Sequence, residues 1–274
     1  MEDDDNLRFG FGRNWEKFLE NITDRSVCSA KESLIELFGV SEFSGKTFLD
    51  IGCGSGLSSL SAVQLGASVY SFDYDEASVQ CALYLREKYK ISHDVWRIEK
   101  GSVLDKEYLI SLGQFDFVYS WGVLHHTGGM WDALDNIKCN LRSNAKLCIA
   151  IYNDQGGTSK RWTAIKKIYN SLPKFLRTPY VCAIVAPSEF KSITIHFLRG
   201  CLGDYVSYVR DYDKNRGMSW WTDKVDWVGG YPFEVAQPEE IFNFYRKDGY
   251  TLDFMTTCGG GLGCNQYVFT VAES

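Results

Sequence analysis

From Lys46 to Asn153, short apolar runs alternate with polar segments in the rhythm of strand followed by helix. The runs Thr47–Ile51, Ser68–Phe72, Asp94–Glu99, Phe115–Ser120 and Lys146–Tyr152 have the length and the β-branched or aromatic content of strands buried on both faces. Between them, apolar positions recur every three or four residues, which predicts helices near Leu57–Leu65, Glu76–Tyr89, Lys106–Leu112 and Gly129–Asn140. That alternation marks a parallel sheet covered by helices. Further on, Gln237-Pro238-Glu239-Glu240 opens a helix, with proline in the first turn and early carboxylates, and Gly249 stops it. Thr251–Met255 and Gln266–Val271 then complete an α/β fold with seven strands, mostly parallel.

Two stretches stand outside this rhythm. Residues 1–45 carry the aromatic segment Phe9-Gly10-Phe11-Gly12-Arg13-Asn14-Trp15 and a helix near Ala30–Phe38. Residues 154–236 are rich in Trp, Tyr, Lys and Arg with short helical patterns, and they are too many for a plain loop. The expected organisation is an N-terminal helical segment (1–45) covering the ligand, a core of 46–153 and 237–274, and a helical lid of 154–236.

Composition narrows the function classes. A net charge of −6 over 274 residues supplies no overall basic field for a phosphate backbone, so a nucleic-acid partner is not expected. The first residues, Met1-Glu2-Asp3-Asp4-Asp5, reverse the basic start of a signal peptide. No apolar run approaches the roughly 18–20 residues of a spanning helix, so membrane insertion is not expected either. Nine cysteines without Cys-x-x-Cys spacing read as reduced core thiols of a cytoplasmic protein, with no zinc site and no other metal.

The densest chemical signal is Phe48-Leu49-Asp50-Ile51-Gly52-Cys53-Gly54-Ser55-Gly56, a buried strand delivering three glycines into a helix start. Glycine allows a tight turn and a close approach of backbone to ligand. A dinucleotide fingerprint wants its third glycine at position 57, which is Leu57. Instead, Asp50 ends the strand where an ammonium or a water would lie. Asp73, followed by Tyr74, closes the next strand at the place from which a carboxylate can accept both hydroxyls of a ribose.

On these motifs the chain resembles the class I S-adenosylmethionine-dependent methyltransferases over about Lys46–Asn153, and more loosely in its last elements. The resemblance implies a Rossmann-like, mostly parallel seven-stranded sheet with an antiparallel last strand, and S-adenosyl-L-methionine as cofactor. It assigns the cofactor to Asp50, Gly52, Cys53, Gly54, Gly56, Asp73 and Tyr74. The adenine falls to Ser102 and Val103, where the family often has Asp at the position of Ser102. The methionine part falls to Ser120 and Trp121 at the fourth-strand end. The pair His125-His126 after that strand resembles the ubiquinone and menaquinone methyltransferase subgroup, in which such residues often bond to neighbouring loops. Arg13 and Trp15 are expected to close over the cofactor.

Methyl transfer asks the protein to align a nucleophile, exclude water and remove a proton. His126, ahead of His125, is the candidate general base, because a neutral imidazole suits that task. The loop Thr257–Asn265 holds four glycines whose N–H groups can form an anion nest, with Asn265 as an added donor and acceptor. It is otherwise a plain hairpin connection. Trp220–Pro232 interleaves aromatic rings and carboxylates, which stack on a sugar, enclose a cation, or simply form the core of the lid. Trp227 and Tyr231 are its substrate-facing candidates. The pairs Lys160-Arg161 and Lys166-Lys167 read as a solvated helix face. The motifs of exocyclic base-amine and cytosine C5 methylation do not occur, since every proline lies after position 172.

The expected function is methylation of a small-molecule metabolite, oxygen ahead of nitrogen, with a sugar, nucleotide-sugar or natural-product intermediate as acceptor. The alternatives are an RNA or protein methyltransferase and a non-catalytic cofactor-binding module. Oligomeric state is not legible.

Overall fold

The computed structural model describes residues 7–10, 22–212 and 219–272. In chain order the elements are α1 (Asp24–Phe38), β1 (Thr47–Ile51), α2 (Leu57–Gln64), β2 (Ser68–Asp73), α3 (Glu76–Lys88), β3 (Trp96–Lys100), α4 (Lys106–Leu112), β4 (Phe115–Trp121), α5 (Met130–Asn136) and β5 (Leu141–Tyr152). Then follow α6 (Gly157–Ser171), α7 (Lys174–Leu198), α8 (Leu202–Arg210), α9 (Trp220–Gly229), α10 (Pro238–Arg246), β6 (Tyr250–Thr256) and β7 (Cys264–Val271).

Local signals fix most helix starts. Thr23 caps α1, its hydroxyl accepting from Ser26 N at 3.2 Å; Asp75 caps α3 and Asp105 caps α4 in the same way. Gln237 and Glu240 form a capping box at α10. The stretch expected as one helix over Gly129–Asn140 tightens to a 3₁₀ turn at Ile137–Asn140. β5 begins at Leu141, earlier than its apolar run, because Phe115 pairs with Leu141 across an irregular register and carries polar residues into the strand.

The sheet order is β3-β2-β1-β4-β5-β7-β6. The first five strands run parallel, and β7 is antiparallel to both β5 and β6. One face is covered by α1, α2 and α3 through Phe38, Leu60 and Leu85, the other by α4, α5 and α10 through Leu109, Leu134 and Ile241. Phe38 packs among Phe43, Phe48 and Phe117, with ring centroids 5.7, 5.9 and 4.8 Å away. Chain order reverses between β1 and β4, so a crevice opens beyond their carboxyl ends, the place where such sheets bind ligands.

The inserted helices form a lid with its own small core of Tyr169, Val181, Val185 and Val228. It leaves the sheet at Asn153 and returns at Ala236, where Ala236 N donates to Tyr152 O and Asp154 N to Ala236 O. Helix α7, 25 residues long, is long and apolar enough by length and composition to cross a membrane. The sequence reading found no such segment because Pro179, Pro187, Glu189 and Lys191 interrupt the apolar run.

Candidate functional site

A cavity of about 1300 Å³ lies beyond the carboxyl ends of β1, β2 and β4, roofed by the lid and by residues 8–10. Clefts that hold one drug-sized ligand measure roughly 300–1,000 Å³, and this one is larger. Its floor is the turn after β1. Gly52 N and Cys53 N both donate to Phe72 O, at 2.8 and 3.1 Å, folding the chain back over β2. Gly52 and Gly54 hold φ of 76° and 53°, and a Cβ on Gly52 would lie 2.4 Å from Val123 Cγ1, so only glycine fits there.

Two carboxylates face this turn. Asp73 accepts from Gly54 N through Oδ2 and from Asp75 N through Oδ1, both at 2.9 Å, so it is fixed in place with a lone pair left on each oxygen. Desolvation pushes its pKa up to about 6, against the lowering pull of those N–H groups. Asp50 is buried deeper and its pKa is raised to about 7, chiefly by desolvation, with Ser59 opposing and Asp73 adding to the rise. Behind it runs a buried chain of donors. Trp96 Nε1 donates to Ser71 Oγ at 2.8 Å, the Ser71 and Ser59 hydroxyls lie 2.6 Å apart, and Ser59 Oγ donates to Asp50 Oδ2 at 2.5 Å. The chain ends on an acceptor and so orients the carboxylate. Burial thus leaves this carboxyl near its midpoint at neutral pH, and a cation beside it would favour the charged form.

Tyr74, Ser102 and Val103 line the adjoining part of the cavity. Ser102 Oγ accepts from Leu104 N, and Val103 O accepts from Asn136 Nδ2 at 3.1 Å. Arg8 lies across this region, its guanidinium 4.3 Å from the Tyr74 ring centroid and its Nη2 donating to His126 O at 3.1 Å. Phe9 N donates to Tyr231 O at 2.9 Å. The N-terminal segment is thus tied to core and lid together.

The far side of the cavity is lined by His126, Tyr152, Asp223, Asp226 and Trp227, with Leu262, Gly263 and Cys264 from the β6–β7 hairpin. His126 Nδ1 lies 2.6 Å from Pro232 O; it therefore carries the proton and leaves Nε2 with the lone pair. Burial lowers the His126 pKa to about 3, against that bond, which keeps the ring neutral and a weak base. Glu234 secures the same loop, accepting from Gly128 N and Met130 N at 3.0 Å.

Several expected residues stand elsewhere. His125 is buried off the cavity, its Nδ1 accepting from Tyr152 N at 3.3 Å and its ring 3.9 Å from the Tyr152 ring, so it supports Tyr152 rather than meeting ligand. Ser120 is buried, donating to Ile51 O at 3.0 Å, and joins β4 to β1. Gly56 caps α2 and packs against Ala82. Tyr231 is buried, its carbonyl accepting from Phe9 N and its ring centroid 5.4 Å from Lys167 Nζ. Asn265 is wholly buried: it donates to Asn153 Oδ1 at 3.0 Å and accepts from Cys258 N at 3.1 Å, clamping the hairpin. Arg13 and Trp15 lie outside the described residues. Asp50, Gly52, Cys53, Gly54, Asp73, Tyr74, Ser102, Val103, Trp121, His126 and Trp227 are brought together around the cavity.

The expected solvated face also fails at one residue. Lys166 is 1% exposed, its Nζ donating to Trp227 O at 2.5 Å and lying 4.9 Å from the Phe233 ring centroid. Burial lowers its pKa to about 7, with Asp226 pulling the other way. The sequence reading missed Arg8, Lys166 and Tyr152. Asp223 and Asp226 are carboxylates of the Trp220–Pro232 stretch, and their three-residue spacing puts both on one helix face.

Among the described residues no cluster of side chains suits a metal ion. The paired acids, the glycine turn and the second compartment suit a nucleoside carrying a cationic tail, beside an acceptor. A family model described as a methyltransferase domain matches residues 49–147. The ribosomal protein L11 methyltransferase of Helicobacter hepaticus is 44% identical over 46 residues, 17% of this chain and 14% of that protein, so the chain spans a small part of that relative's length. Among solved structures, the magnesium protoporphyrin IX methyltransferase from Synechocystis PCC 6803 with bound SAH is 15% identical over 90% of this chain and 83% of that one, with a TM-score of 0.51. PKMT2 from Rickettsia typhi in complex with AdoHcy is 15% identical over 88% and 52%, with a TM-score of 0.55. These likenesses show the Rossmann-like methyltransferase fold.

Proposed function

With a methyltransferase domain at the core of the chain, we propose that the protein is an S-adenosyl-L-methionine-dependent methyltransferase acting on a small-molecule hydroxyl or amine. One observation carries this reading: two carboxylates at the ends of adjacent strands flank a glycine turn and face a cavity of about 1300 Å³. Asp73 would hold the ribose hydroxyls, Asp50 the ammonium of the methionine part, and Ser102 and Val103 the adenine. The bound cofactor supplies an electrophilic methyl group. The two solved relatives described with bound SAH or AdoHcy support the same cofactor.

The chain's own part is alignment, exclusion of water and proton handling. Trp227 and Tyr152 offer flat faces to an acceptor, and Arg8 with Phe9 closes the opening. Asp226, on the lid helix across the cavity, is the group we assign to take the acceptor's proton onto its carboxylate. His126 Nε2, on a ring whose Nδ1 is held by Pro232 O at 2.6 Å, accepts a hydrogen bond that orients the acceptor. Hydroxyls arranged as on a sugar, nucleotide-sugar or natural-product intermediate suit this mixture of carboxylate and ring. The paired histidines after β4 keep the ubiquinone and menaquinone enzymes as the narrower family reading, and nine free thiols fit a reducing cytoplasm.

The test is transfer from methyl-labelled cofactor to a panel of sugars, nucleotide-sugars and phenolic or amine metabolites, with RNA and protein fractions as the competing class. Wild-type turnover on a metabolite is expected, lowered at least about a hundredfold in Asp226→Asn with cofactor affinity unchanged. Labelling of macromolecules alone would refute the acceptor class, and full turnover by Asp226→Asn would refute the base.

A further inference from the structure

The end of α9 is held from outside that helix. The last carbonyls of a helix have no partner within it, and here three donors supply one. Gly230 N donates to Asp226 O at 2.8 Å, Lys166 Nζ to Trp227 O at 2.5 Å and Asn170 Nδ2 to Gly229 O at 2.6 Å. Lys166 and Asn170 stand four residues apart on one face of α6, where Asn170 Nδ2 also donates to Lys166 O at 2.9 Å. Asp226 and Trp227, in the turn so held, line the cavity, while Lys166 sits behind them and does not.

Asn170 shows that a neutral amide suffices for such a carbonyl. Position 166 carries an ammonium instead, boxed by the rings of Trp162, Trp227 and Phe233 with centroids 5.9, 5.7 and 4.9 Å from Nζ. Taking an ammonium out of water is unfavourable, and a methionine of similar length would fill this apolar space without that penalty. The charge itself is therefore the feature to explain. The titratable groups coupled to it are Asp226 from α9 and His125 and His126 from the turn after β4. The ammonium and the Asp226 carboxylate attract each other through space, and both imidazoles are driven toward their neutral form. A charged carboxylate to take a proton and a neutral ring to accept a hydrogen bond are the two states that the acceptor side requires.

We propose that Lys166 is a positioning residue of the acceptor side: its ammonium fixes the last turn of α9 and keeps Asp226 in the charged, proton-accepting form. The assignment rests on the methyltransferase reading above and on Asp226 as the proton acceptor.

The test uses the full chain, methyl-labelled S-adenosyl-L-methionine and the metabolite panel, with Lys166→Met and Lys166→Arg beside wild type. In Lys166→Met, turnover should fall about tenfold or more, with acceptor KM and S-adenosylhomocysteine affinity within about twofold of wild type. The acidic limb of its turnover profile should move up by about half a pH unit or more, because Asp226 loses a cation that favours its carboxylate. Lys166→Arg keeps charge and donor and should return the limb to its wild-type position. Should the larger guanidinium unfold the chain, a double variant decides: in Asp226→Asn, adding Lys166→Met should lower turnover no further. Full turnover by Lys166→Met would overturn the assignment. So would a loss equal at every pH, or losses that multiply in the double variant, either of which would leave Lys166 a helix cap only. Wild-type protein that binds S-adenosylhomocysteine yet labels no acceptor would overturn the methyltransferase reading and this assignment with it, whereas failure in the variants alone leaves that reading standing.

Discussion

Asp50 shows how burial becomes function at the scale of one side chain. Its pKa, raised to about 7, makes the folded protein bind a proton that the unfolded chain releases near 4. The empty protein therefore loses stability as pH climbs from about 4 through 7. An ammonium brought to the carboxylate favours the charged form and expels that proton. S-adenosylhomocysteine, which carries the same amino-acid end, should accordingly bind more tightly as pH rises from 6 to 8. Calorimetry at pH 7 in two buffers of different ionisation enthalpy should register the released proton, and Asp50→Asn should reduce both effects to the smaller share that Asp73, raised to about 6, supplies. Affinity independent of pH in the wild type would contradict this role. His126 behaves in the opposite sense: with its pKa near 3, replacement by Asn should leave the pH profile of turnover between 5 and 8 unshifted. A step near pH 6 that vanishes in that variant would restore it as the base.

At the scale of elements, the strand–turn–helix unit is a local construction, and for that reason it was legible in sequence. Asp50, Gly52, Gly54 and Asp73 lie in one βαβ unit whose spacing alone sets them side by side. A Cβ at Gly52 meets both a left-handed φ and Val123, whereas Gly45 has φ of 73° with open space around it. Strain of about 1–2 kcal/mol applies to both, and overpacking of about 1–3 kcal/mol to the first alone. Chemical denaturation should thus find Gly52→Ala the more destabilised of the two by at least about 1 kcal/mol; equal losses would remove the steric account. What sequence did not yield are residues whose setting depends on distant elements. Lys166 reads as half of a basic pair, and only the fold packs it under Trp227 and Phe233. Asn265 reads as a loop donor until Asn153, just beyond the end of β5, takes its side chain.

Over the whole molecule, the sheet builds one compartment and the insertion builds the other. The lid meets the sheet at Asn153 and Ala236, and the strap at residues 8–10 joins both bodies through His126 and Tyr231. Arg8→Ala removes the guanidinium from Tyr74 and from the His126 carbonyl, so stopped-flow release of S-adenosylhomocysteine should quicken about tenfold with little change in melting temperature. Unaltered release would show that the strap does not retain ligand. The central claim, that the cavity beyond β1 and β2 holds a sulfonium nucleoside, is tested most directly by titrating S-adenosylhomocysteine into the full chain in a calorimeter. One equivalent should bind, with affinity falling at least about tenfold in Asp73→Ala, whereas an absence of binding heat and of thermal protection, or equal binding by Asp73→Ala, would contradict it.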